Sequence, residues 1–342
     1  MVSIADVAAH AGVSPTTVSH TLSGKRKVSP RLRERVEEAM RSLGYAPSRS
    51  AQNLALGTTR IVALIVPDIG NGFFADLAKG VEQTAIEHGY NVILCTTGFD
   101  HAREVLYLEM IRSRAADGII YAAGSPPSNS ELASLLGDMP LVLVDEDIPG
   151  SQAAAVVSDN AAGGRLAAEH LLGLGHSKAL VLGANDELVS SGLRVEGFGA
   201  AWSDGGGDGP VVTSGGFTEE GGREAILPFI DRLRSGELTA VFAVNDMMAL
   251  GVVNQLRAHD IAVPGDVSVV GFDDIAAARH SYPALTTVRQ DVLTLGATAT
   301  EILIRGLESS GVLTGSREVL PVALVTRQSS GPLRPDIERA GN

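Results

Sequence analysis

Residues 3–24 read SIADVAAHAGVSPTTVSHTLSG, and their spacing sets the architecture of the head of the chain. Ile4, Val7, Ala8 and Ala11 recur at helical intervals, with Ser3 placed as an N-cap and Asp6 three residues on, an acidic form of the capping box. Gly12 interrupts that helix. Ser14 caps a second one, Pro15 sits where its missing N–H is harmless, and Val18 and Leu22 turn inward. Ser29 and Pro30 repeat the start signal, and Leu32, Val36, Ala39, Met40 and Leu43 form an apolar stripe that stops at Gly44. The expectation is three short helices on one small core, the first two joined by a tight glycine turn. That is a helix-turn-helix pattern, whose second helix lies in a DNA major groove with its early side chains on base edges. Thr16, Thr17, Ser19 and His20 fall on or near the outer face.

The charge distribution agrees. The 342-residue chain carries −13 overall, yet residues 1–60 hold nine Lys/Arg against four Asp/Glu, a net +5, which leaves −18 for the remainder. A basic head on an acidic body suits contact with a polyanion through the head alone, because counterion release drives such binding. The acidic body repels DNA and orients the head. After Pro47, SRSAQNLALG offers a polar cap, good helix formers and Gly57 as a stop, enough for about two turns that are marginal in isolation.

From Ile61 onward, apolar runs alternate with helical patterns: IVALIVP at 61, NVILCTT at 91, GIIYAA at 118 and LVLVDED at 141. A second series follows, ALVLGA at 179, VVTSGG at 211, AVFAVND at 241 and VSVVGFDD at 267. Such alternation reads as two α/β lobes with doubly wound parallel sheets. Sheets of that kind bind ligands beyond the carboxyl ends of their strands, so the cleft between two lobes is the expected site. The residues just past the strands are Asp68, Asn71, Phe73 and Phe74, then Asp145, Asp159, Arg194, Phe217, Asn245 and Asp273. Carboxylates, amides and one arginine suit the hydroxyls of a polar ligand, and a phenylalanine suits the flat face of a sugar or base. Aromatic residues make up only 4% of the chain, so their collection at strand ends carries weight. Asp246 and Asp274, one residue further along, read as helix caps.

Other chemistries find no support. The chain has no G-x-S-x-G, no phosphate-loop motif, no H-E-x-x-H and no C-x-x-C, and its eight histidines are scattered. His88 and His176 adjoin glycines and read as caps or surface residues. GGGDG at 205–209 lacks the flanking strand and helix of a dinucleotide site. No catalytic residue, metal site or cofactor is expected, and the acids Asp145, Glu146 and Asp147 lack a nucleophile or metal-ligand set beside them. The single cysteine, Cys95, excludes an intramolecular disulfide, the longest apolar runs are too short to span a membrane, and MVSIADVAAH is not a secretory signal. A cytoplasmic location and no membrane partner are the expectations. With 44% hydrophobic residues in this length, two or three globular units are expected.

The stretches 3–24 and VSPRLRERVEEAMRSLGYAPSRSAQNLALG at 28–57 closely resemble the DNA-binding head of LacI/GalR family regulators. PDIGNGFF, SDNAAGGRLAAEHL, LRVEGF, VNDMMALG, VPGDVSVVGFDD and LTTVRQD resemble the effector-binding core that this family shares with periplasmic sugar-binding proteins. The resemblance implies base contacts from Thr16 and His20, while Pro15 departs from the usual polar residue and offers only apolar contact. It implies that the linker becomes helical on the operator and that Leu54 enters the minor groove. Ser14, Thr17, Ser19 and Arg49 complete the DNA-facing set. It further implies an effector pocket lined by Phe74, Asp145, Arg194, Phe217, Asn245, Asp273 and Gln290, to which Phe73 is added.

The organisation expected is an all-α head at 1–47, a linker at 48–59, a two-lobed core resembling periplasmic binding proteins at 60–331 and a tail at 332–342. The first lobe takes about 60–159 and 291–319, the second about 160–290 and 320–331. The tail lacks the leucine heptads of the family's tetramers, which implies a homodimer. The function expected is a repressor that binds a palindromic double-stranded operator and is released by a small carbohydrate-type effector. Control by a purine corepressor or a phosphoprotein is the alternative within the family. A sugar-binding protein of transport, from another class, has no use for the basic head.

Overall fold

The computed structural model describes residues 2–23, 26–45, 58–113, 115–183, 188–309 and 315–333. Arg49 and Leu54 lie outside the described residues.

The head folds as its spacing predicts, into α1 (Ile4–Ala11), α2 (Pro15–Ser23) and α3 (Pro30–Leu43). Ser3 and Asp6 form the reciprocal box, with the Ser3 amide donating to Asp6 at 2.8 Å and the Asp6 amide to the Ser3 hydroxyl at 3.3 Å. Gly12 closes α1 in the left-handed conformation at φ 59°. Ser14 caps α2, its Oγ accepting from the Thr17 amide at 3.1 Å. Ser29 departs from expectation: its side chain makes no capping bond, and Pro30 alone marks the start of α3. Val7, Ala8, Ala11, Val18, Val36 and Ala39 form the core of this unit.

The body runs β1 (Ile61–Val66), α4 (Gly72–Glu87), β2 (Asn91–Thr96), α5 (His101–Arg112), β3 (Gly118–Tyr121), α6 (Asn129–Leu136), β4 (Leu141–Val144) and β5 (Ala154–Ser158). It continues with α7 (Asn160–Gly173), β6 (Ala179–Gly183), α8 (Val189–Asp204), β7 (Val211–Ser214), α9 (Glu219–Ile226), a 3-10 turn (Leu227–Phe229), α10 (Ile230–Arg234) and β8 (Ala240–Ala243). Then follow α11 (Asp246–Ala258), β9 (Ser268–Asp273), α12 (Ala276–His280), β10 (Thr286–Arg289), α13 (Val292–Ser309), β11 (Arg317–Leu320) and β12 (Ala323–Val325).

Two six-stranded sheets result, ordered β11-β5-β4-β3-β1-β2 and β12-β10-β9-β8-β6-β7. All neighbours are parallel except β12, which runs antiparallel to β10. Strands β3, β4, β6 and β8 are buried along their whole length, which explains why they read as unbroken apolar runs rather than as alternation. In each sheet the first strand lies between the second and third, so the winding reverses there. Ligands of open α/β sheets bind at such reversals, outside the carboxyl ends of the strands.

The chain passes between the lobes three times: from β5 to α7, from β10 to α13, and from β11 to β12. Although α13 follows a strand of the second sheet, it packs on α4, β3, β4 and β5 of the first. His176 differs from the sequence expectation of a cap or surface residue. It is buried, with Nδ1 at 3.0 Å from Thr239 Oγ1 and Nε2 at 3.0 Å from Ser268 Oγ and 3.1 Å from the Gly331 carbonyl.

Candidate functional site

Arg194, on the second turn of α8, is 2% exposed and stands at the centre of a polar cluster built from both lobes. Its Nε donates to Asn160 Oδ1 at 2.8 Å and its Nη1 to the Val244 carbonyl at 2.7 Å. The guanidinium lies 3.9 Å above the centre of the Phe272 ring, a cation–π contact in a desolvated setting. Asp145, just past β4 in the first lobe, lies 3.8 Å from Nη2, and Asp273, at the end of β9 in the second, lies 3.7 Å from Nη1. Gln290, just past β10, donates its amide to Asp273 at 2.7 Å. Two acceptors in this cluster, Asp145 Oδ1 and Gln290 Oε1, are buried without a hydrogen-bond donor. Such atoms carry a desolvation cost until something supplies an O–H or N–H.

Burial drives the electrostatics. It pushes the Asp145 carboxyl up to about 6, against the lowering effect of Arg194. Asp273 is pushed up to about 7, first by burial, with Arg194 opposing and Asp145 adding. Both acids have unusual backbones, with φ 66° at Asp145 and 113° at Asp273, and Phe217 is similar at 62°. Left-handed conformations at residues with side chains concentrate at functional sites.

The remaining expected residues make contacts of their own. Phe73 and Phe74 occupy the first turn of α4 behind the Asn71 cap, both buried, with their rings edge to face at 5.1 Å. Asn245 caps α11 through the Met248 amide at 2.9 Å and donates to the Phe217 carbonyl at 2.9 Å, so both of its polar atoms already have partners. Hydrogen bonds and ion pairs thus join Asp145, Arg194, Asp273 and Gln290 into one group, with Phe73–Phe74 and Asn245–Phe217 as separate pairs. Asp246 and Asp274 are not the caps they were expected to be. Asp246 accepts from the Ile275 amide at 2.9 Å and the Thr287 hydroxyl at 2.6 Å, tying the start of α11 to the segment after β9 and to β10. Asp274 is the shared partner of Arg279, Arg289 and Arg327.

Sequence reasoning passed over Asn160, Phe272 and the Glu146–Ser190 contact. Glu146, from the first lobe, accepts from the Ser190 amide at 3.0 Å and its hydroxyl at 2.6 Å, at the start of α8 in the second. Only the acidic run Asp145–Asp147 hinted at it. Asn160 stood inside a quoted motif but not directly after an apolar run.

In the head, Thr16 is exposed on the first turn of α2, and Thr17, Ser19 and His20 are half-buried beside it. Ser14 is exposed, and its hydroxyl lies 2.9 Å from that of Thr17, so these two are committed to each other as the cap of α2.

A head of this shape on a body of this shape defines a DNA-binding regulator with a ligand-binding core. Residues 3–48 match the model of bacterial regulatory proteins of the lacI family, and residues 168–330 match the periplasmic binding protein-like domain. The HTH-type transcriptional regulator DegA of Bacillus subtilis (strain 168) is 34% identical over 96% of this chain and 98% of its own. Among solved structures, the lac repressor dimer bound to operator and the anti-inducer ONPF superposes with a TM-score of 0.82 at 26% identity, covering 96% of this chain and 99% of that one. The transcriptional regulator CelR in complex with cellobiose has a TM-score of 0.71 at 30% identity, covering 96% of this chain and all of that one. The chain belongs to the lacI family of bacterial regulatory proteins. Among the described residues, no helix is long and apolar enough to cross a membrane.

Proposed function

We propose that this chain is a ligand-responsive repressor, working in the cytoplasm, which binds a dyad-symmetric operator as a homodimer and is released by a small neutral polyol, most simply a sugar. One observation carries the ligand half of this reading. A single buried guanidinium is shared between a carboxylate of each lobe, and Asp145 Oδ1 and Gln290 Oε1 beside it lack donors. Hydroxyls satisfy such a set because each both donates and accepts, whereas an anionic ligand meets two carboxylates.

The head at 1–47 supplies operator contacts, with Thr16 and His20 on base edges and Ser14, Thr17, Ser19 and Arg49 around them. The linker at 48–59 supplies Leu54 as a minor-groove wedge. The core at 60–331 holds the effector between lobes at about 60–159 with 291–319 and 160–290 with 320–331. Ligand favours one lobe arrangement and so biases the spacing of the paired heads. A coupling of about 1–3 kcal/mol changes operator affinity about 5- to 150-fold.

The test is a thermal-shift screen of the full-length protein against neutral sugars and nucleobases, with hits retested in operator titrations. A sugar that stabilises the protein and weakens operator binding supports the reading. A nucleobase that strengthens operator binding reverses its sense. Arg194→Ala is expected to abolish the response and leave unliganded operator affinity within about twofold, and a retained response removes Arg194 from the site.

A further inference from the structure

The proposed effector site raises a question of spacing. A guanidinium buried beside carboxylates normally closes to about 2.7–2.9 Å. Arg194 instead stands 3.8 Å from Asp145 and 3.7 Å from Asp273. What restrains it is visible on its other side, where Asn160 takes Nε, the Val244 carbonyl takes Nη1 and Phe272 lies beneath the plane. Asn160, 3% exposed, is the one side chain among these three that bonds the guanidinium edge-on.

The backbone is built to bring that asparagine within reach. Helices α7 and α8 touch main chain to main chain. A Cβ on Gly164 would lie 2.0 Å from the Arg194 carbonyl, and one on Gly197 would lie 2.1 Å from the Ala161 carbonyl. A Cβ on Gly163 would come within 2.4 Å of the Phe272 ring, so that glycine seats the platform under the guanidinium. The Asp159 side chain caps α7 through the Ala162 amide at 3.0 Å, which fixes the turn that carries Asn160. Three glycines, one cap and one amide thus converge on a single arginine.

We infer that Asn160 is a positioning residue that holds Arg194 off Asp145 and Asp273, beyond direct hydrogen-bond distance of either, so that effector hydroxyls bridge the guanidinium and the acids from the side. This rests on the effector reading of Arg194 given above. Without Asn160, Nε loses its acceptor and the guanidinium swings onto one of the two acids, replacing those bridges with an internal ion pair. The other ionisable groups packed beside the pair are Glu146, which follows Asp145 and accepts from Ser190 at the start of α8, and Asp246, which accepts from the Ile275 amide two residues past Asp273.

The experiment compares full-length parent, Asn160→Ala and Asn160→Asp, with 15N-arginine and 13C-carboxyl aspartate labels and no ligand added. Emission from the buried Trp202 reports that each variant is folded. Asn160→Ala is expected to lose the exchange-protected Arg194 Nε–H signal, and the Asp145 and Asp273 carboxyls are expected to titrate at lower pH than in the parent, because one of them becomes tightly paired. Asn160→Asp keeps an acceptor at the same place and is expected to keep the Nε–H signal. Calorimetry with D-ribose, D-galactose and cellobiose is then expected to show binding at least about tenfold weaker in Asn160→Ala than in the parent, as loss of a hydrogen bond to a charged group implies. An unchanged Nε–H signal, an unchanged or raised carboxyl titration, or unchanged affinity for a sugar the parent binds overturns the inference. If the parent binds none of the three sugars, the choice of sugar in the functional reading fails, while the ligand-free titrations still decide the role of Asn160.

Discussion

At the scale of single residues, two acids of the candidate site are held above their ordinary range. Asp145, at about 6, and Asp273, at about 7, bind more protons in the folded chain than in the unfolded one, where aspartate titrates near 3.9. Stability of the unliganded protein therefore falls as pH rises from about 4 through 7. A polyol that donates O–H to these oxygens selects their ionised forms, so its affinity runs the other way. We expect effector binding to be full above about pH 7.5 and to weaken at least tenfold on lowering the pH to about 5.5. Calorimetric titrations in that range check this, and a flat profile tells against direct contact with either carboxylate. Arg194 and Asp273 could be picked out from strand-end position and motif together. Asn160 and Phe272 could not, because their role depends on a close crossing of two helices far apart from β9 in the chain. Asn245 is nominated by its position after β8; its side chain caps α11 and donates to the Phe217 carbonyl, with one amide hydrogen and one oxygen lone pair beyond those two bonds.

At the scale of elements, apolar runs announced eight of the twelve strands among the described residues. The four that went unread have local reasons. β5 opens on two alanines and ends on a serine, β10 begins with two threonines, β11 is mostly exposed, and β12 has three residues. Each is added where the chain changes lobe or at the antiparallel edge, places that periodicity does not mark. The helix contacts give a sharp test. Gly197→Val pushes a branched side chain into the Ala161 carbonyl and is expected to cost about 1–3 kcal/mol, seen as a lower denaturation midpoint. A midpoint unchanged from the parent argues that α7 and α8 are further apart than described.

Another element-scale device sits where the linker meets the first lobe. Asp117, just before β3, accepts from the Thr58 hydroxyl at 2.8 Å, the Thr59 amide at 2.7 Å, the Thr59 hydroxyl at 2.9 Å and the Arg60 amide at 2.8 Å. Arg60, at φ 51°, then lies over the Tyr90 ring at 4.8 Å and 3.6 Å from Glu308. Asp117→Ala removes four hydrogen bonds at once. We expect about 1–3 kcal/mol of lost stability, together with a weaker effect of ligand on operator affinity. Equal ligand responses in parent and variant indicate that the anchor plays no part in transmission.

At the scale of the whole molecule, the first sheet ends in an open parallel edge, β2, with Leu94 42% exposed. Its flanking helices show Ile86 at 61%, Leu106 at 58% and Met110 at 42%. An edge strand beside exposed apolar side chains is a face that calls for a cover, and a second copy of the chain supplies one symmetrically. Leu94→Glu combined with Leu106→Glu is expected to yield monomers in sedimentation experiments and to lower operator affinity more than about a hundredfold, since one head then binds half a site. Dimers that persist place the contact elsewhere.

The three passages of backbone between the sheets carry a mechanical consequence. Side-by-side straps let two plates rock about one line, as covers do on the spine of a book, and resist both sliding and corkscrew motion. Whatever occupies the gap therefore has a single angle to alter. On the effector reading proposed above, a molecule built this way is expected to answer its ligand by degree of opening, and whatever is suspended from the first plate to register that answer as a change in stance.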